Sequence, residues 1–381
     1  MGKHLVLVGG GHAHLTTLKA LSSFTTRGHQ VTLVSLSPYH YYSGMGPGLL
    51  SEIYQPREVR FHIKKLAENQ GATFIKDKVT RIDPEKKLLL LSSGKTVTYD
   101  VVSFNTGSEV PVESLTPSPG ENVLPVKPII NLLRIRSFLL AAIKEKKIMN
   151  LVVIGGGPAG TEISGNLWRL FRENRGEAKI TLLGGRRLMS DAPDKVRSLA
   201  LNSLVERGLN VLEGSYAKGI ENGMVTLSDG RKVFFDLALV AIGTRPSSLF
   251  RDSGLPTSAD GGLLVNSRLQ SVRYADIFGG GDCVSFEGRS LPRVGVYAVR
   301  ENPVLYHNLS KALEGGSMLT FEPQKSFLLI LNMGNGQGIF WKNNWVWKSR
   351  LAFLLKNYID RKFMRKFQIS GELDEQSEGD E

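Results

Sequence analysis

Cysteine is almost absent: Cys283 is the only one in 381 residues. A disulfide framework, a CxxC redox pair, a thiolate zinc site and a Cys-ligated iron–sulfur cluster are all excluded by that count. Long apolar runs are missing too. The longest, such as FLLIL at 327–331, fall far short of the roughly 18 residues a spanning helix needs, so any membrane contact is expected to be peripheral. No helix-turn-helix, zinc finger or RNP-like motif appears, which sets nucleic acid aside. Acids are in deficit: 36 Asp and Glu face 48 Lys and Arg, a net charge of +12, and six of the acids sit in the last eleven residues, GELDEQSEGDE. The remainder is more basic still, which suggests a negatively charged partner; with nucleic acid set aside, anionic lipid or a phosphate-rich cofactor is left. The tail itself has almost no apolar residue and is expected to be disordered. The opening MGKHLVLV predicts a buried strand at once and leaves no room for a leader, so a cytoplasmic protein is expected.

What is present is a pattern used twice. Residues 4–15, HLVLVGGGHAHL, and 150–162, NLVVIGGGPAGTE, each read as an apolar strand, a glycine turn and a helix start. A second strand follows each after about twenty residues, the spacing of a βαβ unit, at 29–36 and 178–185. A hairpin and an apolar strand ending in Gly follow in turn, at 86–107 and 223–244. The fold class is therefore α/β with two Rossmann-like dinucleotide-binding units. The Pro-rich stretch 110–128 reads as a crossover outside the core. Residues 274–286 and the helical 294–313 lack a glycine turn of their own and are expected to return to the first unit. At the end, 326–344 resembles a hairpin and 345–367 a helix.

A pyrophosphate sits on main-chain amides at a helix start, where a Cβ would block its approach. Gly9, Gly10 and Gly11 supply that surface in the first turn. His14 replaces the usual third glycine, and Ser35 stands where an acid normally meets the ribose, so the first turn departs from the consensus. The second turn is complete, with Gly155, Gly157 and Gly160. After its second strand Gly184 stands in place of an acid, and Arg186 and Arg187 follow, which predicts tolerance of NADPH as well as NADH. His12 and His14, two apart and with no carboxylate clustered beside them, are not expected to hold a metal. A local contact of these two with flavin or phosphate is the expectation. Cys283, next to Gly281 and Asp282, is read as packing.

Two dinucleotide sites suit a nicotinamide that hands hydride to a flavin. On GGGHAH at 9–14, NTG at 105–107, GGGPAGTE at 155–162, AIGTRP at 241–246 and FGGGDC at 278–283, the chain resembles the two-dinucleotide-binding-domain flavoproteins, in the branch of type II NADH dehydrogenases and sulfide:quinone oxidoreductases. It is similar as well to the dehydrogenase-like domains fused to selenide, water dikinases, through Tyr39 to Gly48 and Ile359 to Phe367. The resemblance implies FAD and NAD(P)H as cofactors. It puts Val79, Thr106, Gly107, Gly243, Gly281, Asp282 and Tyr297 beside them and Glu162 near the meeting of nicotinamide and flavin. It also implies an FAD domain over 1–120 and 247–322, interrupted by an NAD(P)H domain over 121–246, then a membrane or dimer segment over 323–370 and a disordered 371–381. The persulfide chemistry of sulfide:quinone oxidoreductases needs cysteines this chain lacks. The usual Gln motif of a quinone pocket is replaced by VGVYAVREN at 294–302. Quinone is the expected acceptor, and a slow flavin-binding redox-sensing or partner-binding module is the alternative. Tyr39, His40, Tyr41 and Tyr42 read equally as acceptor wall or packed loop.

The terminal helix carries Leu351, Leu354, Leu355, Tyr358, Ile359, Phe363 and Phe367 at three- and four-residue steps among many Lys and Arg, behind Trp341, Trp345 and Trp347. Such a helix suits a bilayer interface. The alternatives are packing on its own chain or on a second subunit of a homodimer. Removing everything after Gln324 is expected to abolish liposome binding and leave FAD bound.

Overall fold

The computed structural model describes residues 2–116, 120–324 and 326–375. In the first unit lie β1 (His4–Val8), β2 (Gln30–Ser35), β3 (Thr73–Lys76) and β4 (Val101–Phe104). The second holds β5 (Val123–Pro125), β6 (Met149–Ile154), α1 (Pro158–Glu173), β7 (Ala178–Leu183), β8 (Asn210–Leu212) and β9 (Leu237–Val240). Then come β10 (Ile277–Gly279), α2 (Gly295–Glu314), β11 (Leu329–Asn332), β12 (Gly338–Lys342), β13 (Trp345–Ser349) and α3 (Arg350–Phe367).

Each unit is a five-stranded parallel sheet, ordered β10-β4-β1-β2-β3 and β5-β9-β6-β7-β8. The central strands are apolar without alternation because helices cover both faces of such sheets. β10 pairs with β4 after a detour of more than a hundred residues, so the first sheet is closed by chain that follows the second. A three-stranded antiparallel sheet is inserted before β4 and again before β9, over 79–98 and 217–234, which makes the internal repeat structural.

The crossover differs from its reading. Val110, Val112, Val123 and Val126 are buried in the second core and β5 forms its edge strand, since the apolar VLPV outweighs its prolines; 117–119 lie outside the described residues. Trp345–Ser349 is a strand rather than helix. It pairs with β12, with Val346 turned into the core and Trp345 and Trp347 out, and α3 starts only where the Ser349 hydroxyl caps the Ala352 amide. Gly371–Glu375 pack on the first unit, with Glu372 only 1% exposed; 376–381 lie outside the described residues. The C-terminal segment spans both units: Leu331, Met333, Ile339 and Val346 join the second core, and Met364 and Phe367 the first.

Candidate active site

The two glycine turns meet the same steric demand differently. Gly160 lies so close to β6 that a Cβ there would fall 1.8 Å from the Gly155 carbonyl oxygen, and only glycine allows that approach. Five residues after Gly9 the corresponding position is His14, whose imidazole spans the joint. Its Nδ1–H donates to the Gly9 carbonyl at 2.6 Å, and Nε2 accepts from the Ser103 hydroxyl at 2.8 Å. Burial pulls this ring down to about 4, so it is neutral and its tautomer is fixed by the two partners. The expected contact of His14 with a cofactor is corrected: both nitrogens serve the strand–helix joint.

Around the first turn, the amides of Gly10, Gly11 and His12 make no hydrogen bond among the described residues, and no side chain caps them. Asn105 ties this turn to the distant glycine fingerprint. Its Oδ1 accepts from the Ala13 amide at 3.1 Å, and its Nδ2 donates to the Gly280 carbonyl at 2.6 Å. A Cβ on Gly9, Gly11 or Gly281 would lie 2.3 to 2.5 Å from an Asn105 atom. Beside it Asp282 accepts from Ser108 Oγ and pairs with Lys127 Nζ, both at 2.8 Å. Thr106 is exposed, Gly107 takes a positive φ of 72°, and the Ser35 carbonyl accepts from the Asp77 amide. Val79 is buried in the core, so only its main chain is available to a nucleotide. Asp282, Tyr297 and Glu301 line a cavity of about 270 Å³ together with Asp260 and Arg293. Glu301 Oε2 accepts from the Gly281 amide at 2.5 Å, and burial pushes the carboxyl up to about 7. Cys283 is wholly buried and its thiol is pushed up to about 11 by that burial, the state of a packing residue rather than a nucleophile.

In the second unit Gly157 caps α1 without a side-chain bond and faces open space, as does Gly243 after β9. Gly184 is backed by Glu213, whose carboxylate is committed to the Leu188 amide and to Arg197. Arg187 pairs with Asp194, whereas Arg186 is exposed and has no ion pair among the described residues.

Three separate pieces of chain meet at Glu162. Its Oε1 accepts from the Asn332 amide at 2.6 Å, and burial pushes the carboxyl up to about 7 against the pull of Lys356. Lys356 Nζ donates to the Gly44 carbonyl and to Asp360, each at 2.7 Å. Tyr42 donates to the other Asp360 oxygen at 3.1 Å. Tyr42 also packs on Phe363 and His12, and His12 Nδ1 lies 3.1 Å from His40 Nε2. Burial holds His12 down to about 4 and His40 well below its ordinary value, so this is a pair of neutral rings. The structure thus places Tyr42 and His40 in a packed wall. Asn105 and Asp360 lie inside quoted motifs without a role of their own, and Lys127 and Lys356 are not singled out by the sequence; the signal for Lys356 with Asp360 is a Lys four residues before an Asp on the buried side of a helix.

A family model of the pyridine nucleotide-disulphide oxidoreductases matches residues 3–308. The chain belongs to that family. It is an oxidoreductase with FAD and NAD(P)H as cofactors, though it lacks the cysteine pair the family name refers to. Among relatives, ferroptosis suppressor protein 1 of Taeniopygia guttata is 26% identical over 310 residues, covering 76% of this chain and 78% of that protein. The internal alternative NAD(P)H-ubiquinone oxidoreductase A1 of Arabidopsis thaliana is 25% identical over 243 residues, covering 54% of this chain and 48% of that protein. In fold the chain is similar to NDH2 of Plasmodium falciparum, solved in complex with NADH, with a TM-score of 0.79 at 15% identity over 97% and 98% of the two chains. This family member's residues fit FAD: the unpartnered amides at 10–12 suit its pyrophosphate, and Asp282 beside the cavity suits its polyol.

Proposed function

We propose that the protein is a type II-like NAD(P)H dehydrogenase that delivers electrons to a quinone at a membrane surface. When bound, FAD supplies the hydride acceptor for NAD(P)H and the electron donor for the quinone. The observation that carries the reading is the junction of Glu162, Lys356, Asp360 and Tyr42, where both units and the C-terminal helix converge and no cysteine chemistry is on offer. Glu162 stands on the nicotinamide unit, and its raised carboxyl holds or releases a proton near neutral pH. Lys356, pinned by Asp360 and Gly44, sets a fixed positive charge beside it. Gly9 to His12, Asn105 and Asp282 hold the flavin nucleotide, and Gly155, Gly157, Gly160, Gly184, Arg186 and Gly243 the pyridine nucleotide. Relatives named for ubiquinone reduction support the acceptor. Tyr39 to Gly48 and Ile359 to Phe367 pack on one another through Tyr42, Asp360 and Phe363, which supports a place near the selenide, water dikinase fusions that share both stretches.

No helix among the described residues is long and apolar enough to cross a membrane. We place the protein peripherally, on a cytoplasmic face, through the exposed apolar residues of α3. The test is anaerobic: NADH or NADPH should rapidly bleach the flavin band near about 450 nm, and a soluble quinone should restore it while oxygen and ferricyanide do not. Slow bleaching with both donors would favour the flavin-binding sensor instead.

A further inference from the structure

Five of the nine residues from Arg57 to Lys65 are basic: Arg57, Arg60, His62, Lys64 and Lys65. The short antiparallel pairing of His40–Tyr41 with Arg60–Phe61 brings part of this run against Tyr39. The Arg60 guanidinium lies 4.0 Å above the Tyr39 ring, and the His62 ring is 4.5 Å from it, centroid to centroid. One carboxylate, Glu375, sits among these groups. It accepts from Arg60 at 2.9 Å, from Lys65 Nζ at 3.0 Å and from the Tyr39 hydroxyl at 3.5 Å, with His62 Nε2 at 3.7 Å. Arg57 donates to the Glu375 carbonyl at 3.4 Å.

The donors exceed what one carboxylate can take. Two fixed cations and an imidazole gather on Glu375, with the Glu372 carboxylate already held by the His62 and Ser370 amides, and Arg60 Nε is buried with no hydrogen-bond partner. A phosphate group carries up to two charges and three or more acceptor oxygens, and a guanidinium fork with an ammonium beside it is the usual way to hold one. Glu375 arrives there on a tether. Phe367 is buried in the first core, Gln368 donates to the Arg57 and Arg60 carbonyls, and the Glu372 carboxylate accepts from the His62 and Ser370 amides. A tethered carboxylate competes at a high effective concentration and is displaced only by a better-matched anion.

We propose that Tyr39, Arg60, His62 and Lys65 form a phosphate-binding cradle that Glu375 occupies in the resting chain, so that the C-terminal strap gates access of a phosphate group to it. The cradle adjoins the end of α3 and lies beside the first glycine turn, where Ile63 backs Gly10; none of its four residues supplies a main-chain amide of that turn, and its occupancy does not depend on which electron acceptor the enzyme uses.

The test uses FAD-loaded full-length protein, with bound flavin as the check on folding. Thermal midpoints are followed against inorganic phosphate at constant ionic strength. Co-sedimentation is measured with vesicles of phosphatidylcholine alone or in equimolar mixture with phosphatidic acid. Glu375→Gln should bind a phosphate probe about ten-fold more tightly than wild type, and adding Lys65→Gln should return it to the wild-type level. A gain with both probes assigns the phosphate group itself. A gain with phosphatidic acid vesicles alone assigns a lipid headgroup, and with inorganic phosphate alone a soluble phosphate. No gain in Glu375→Gln, a gain that survives Lys65→Gln, or an equal gain on pure phosphatidylcholine would overturn the proposal.

Discussion

Arg186 and Arg187 stand side by side after β7, yet only Arg187 is held by a carboxylate, that of Asp194. A guanidinium already paired has less to offer a 2′-phosphate than one that is free. The two should therefore separate in kinetics. Arg186→Ala is expected to raise KM for NADPH about ten-fold with little change for NADH, as loss of one charge-assisted contact implies. Arg187→Ala should change either value by less than about two-fold. Initial rates with both donors check this, and equal sensitivity of NADH and NADPH to Arg186→Ala would remove Arg186 from phosphate recognition. The neighbouring Glu213 carboxylate, which backs Gly184, is held by the Leu188 amide and Arg197.

In α3 the apolar residues divide between two tasks. Met364 and Phe367 are buried in the first core, while Leu351, Leu354 and Tyr358 are 74%, 56% and 62% exposed. Arg361, Lys362 and Arg365 lie beside Leu354 and Tyr358 around a surface hollow, the arrangement of apolar anchors among cations that an anionic bilayer surface selects. The expectation that a chain cut after Gln324 keeps its FAD is revised on this ground. The cut also removes Leu331, Met333, Ile339 and Val346 from the second core, and large core truncations at about 2–5 kcal/mol each together exceed the stability of a typical domain. A sharper experiment leaves the cores intact. Leu354→Ser with Tyr358→Ser should keep bound FAD and thermal midpoint while weakening sedimentation with phosphatidylglycerol vesicles at least about ten-fold, since each side chain withdrawn from the interface forfeits about 1 kcal/mol or more. Undiminished sedimentation would turn this face toward a second subunit.

Across the whole molecule, the elements legible in sequence are those written in neighbouring residues. Both glycine turns, the strands that flank them and the return of β10 to the first sheet follow from short patterns of apolar and glycine positions. What escaped depends on distant chain: Asn105 meets Gly280 across 175 residues and Lys356 meets Gly44 across 312, and no local period records such a contact. The same distance hides the electrostatic balance of the folded state. His12, His14 and His40 are held neutral by burial, with His12 and His14 at about 4. Between that value and the unfolded 6.5 the unfolded chain binds more protons, so stability falls as pH drops through the window, by about 1.4 kcal/mol per pH unit for each ring. Glu162 and Glu301 act in the opposite sense. Raised to about 7, they are protonated in the folded chain and ionised in the unfolded one above about 4.5, so acidification favours folding through them. His4 and His62 are lowered by burial as well, so five rings against two carboxyls leave a net loss toward pH 5. Replacing Glu301 by Gln, which keeps a neutral side chain beside the Gly281 amide, removes one of the two compensating protons. Urea unfolding of the FAD-loaded variant at pH 7, 6 and 5 should then lose stability more steeply than wild type, by about 1.4 kcal/mol for each pH unit. Parallel slopes for the two proteins would show that Glu301 is ionised in the folded chain across this range.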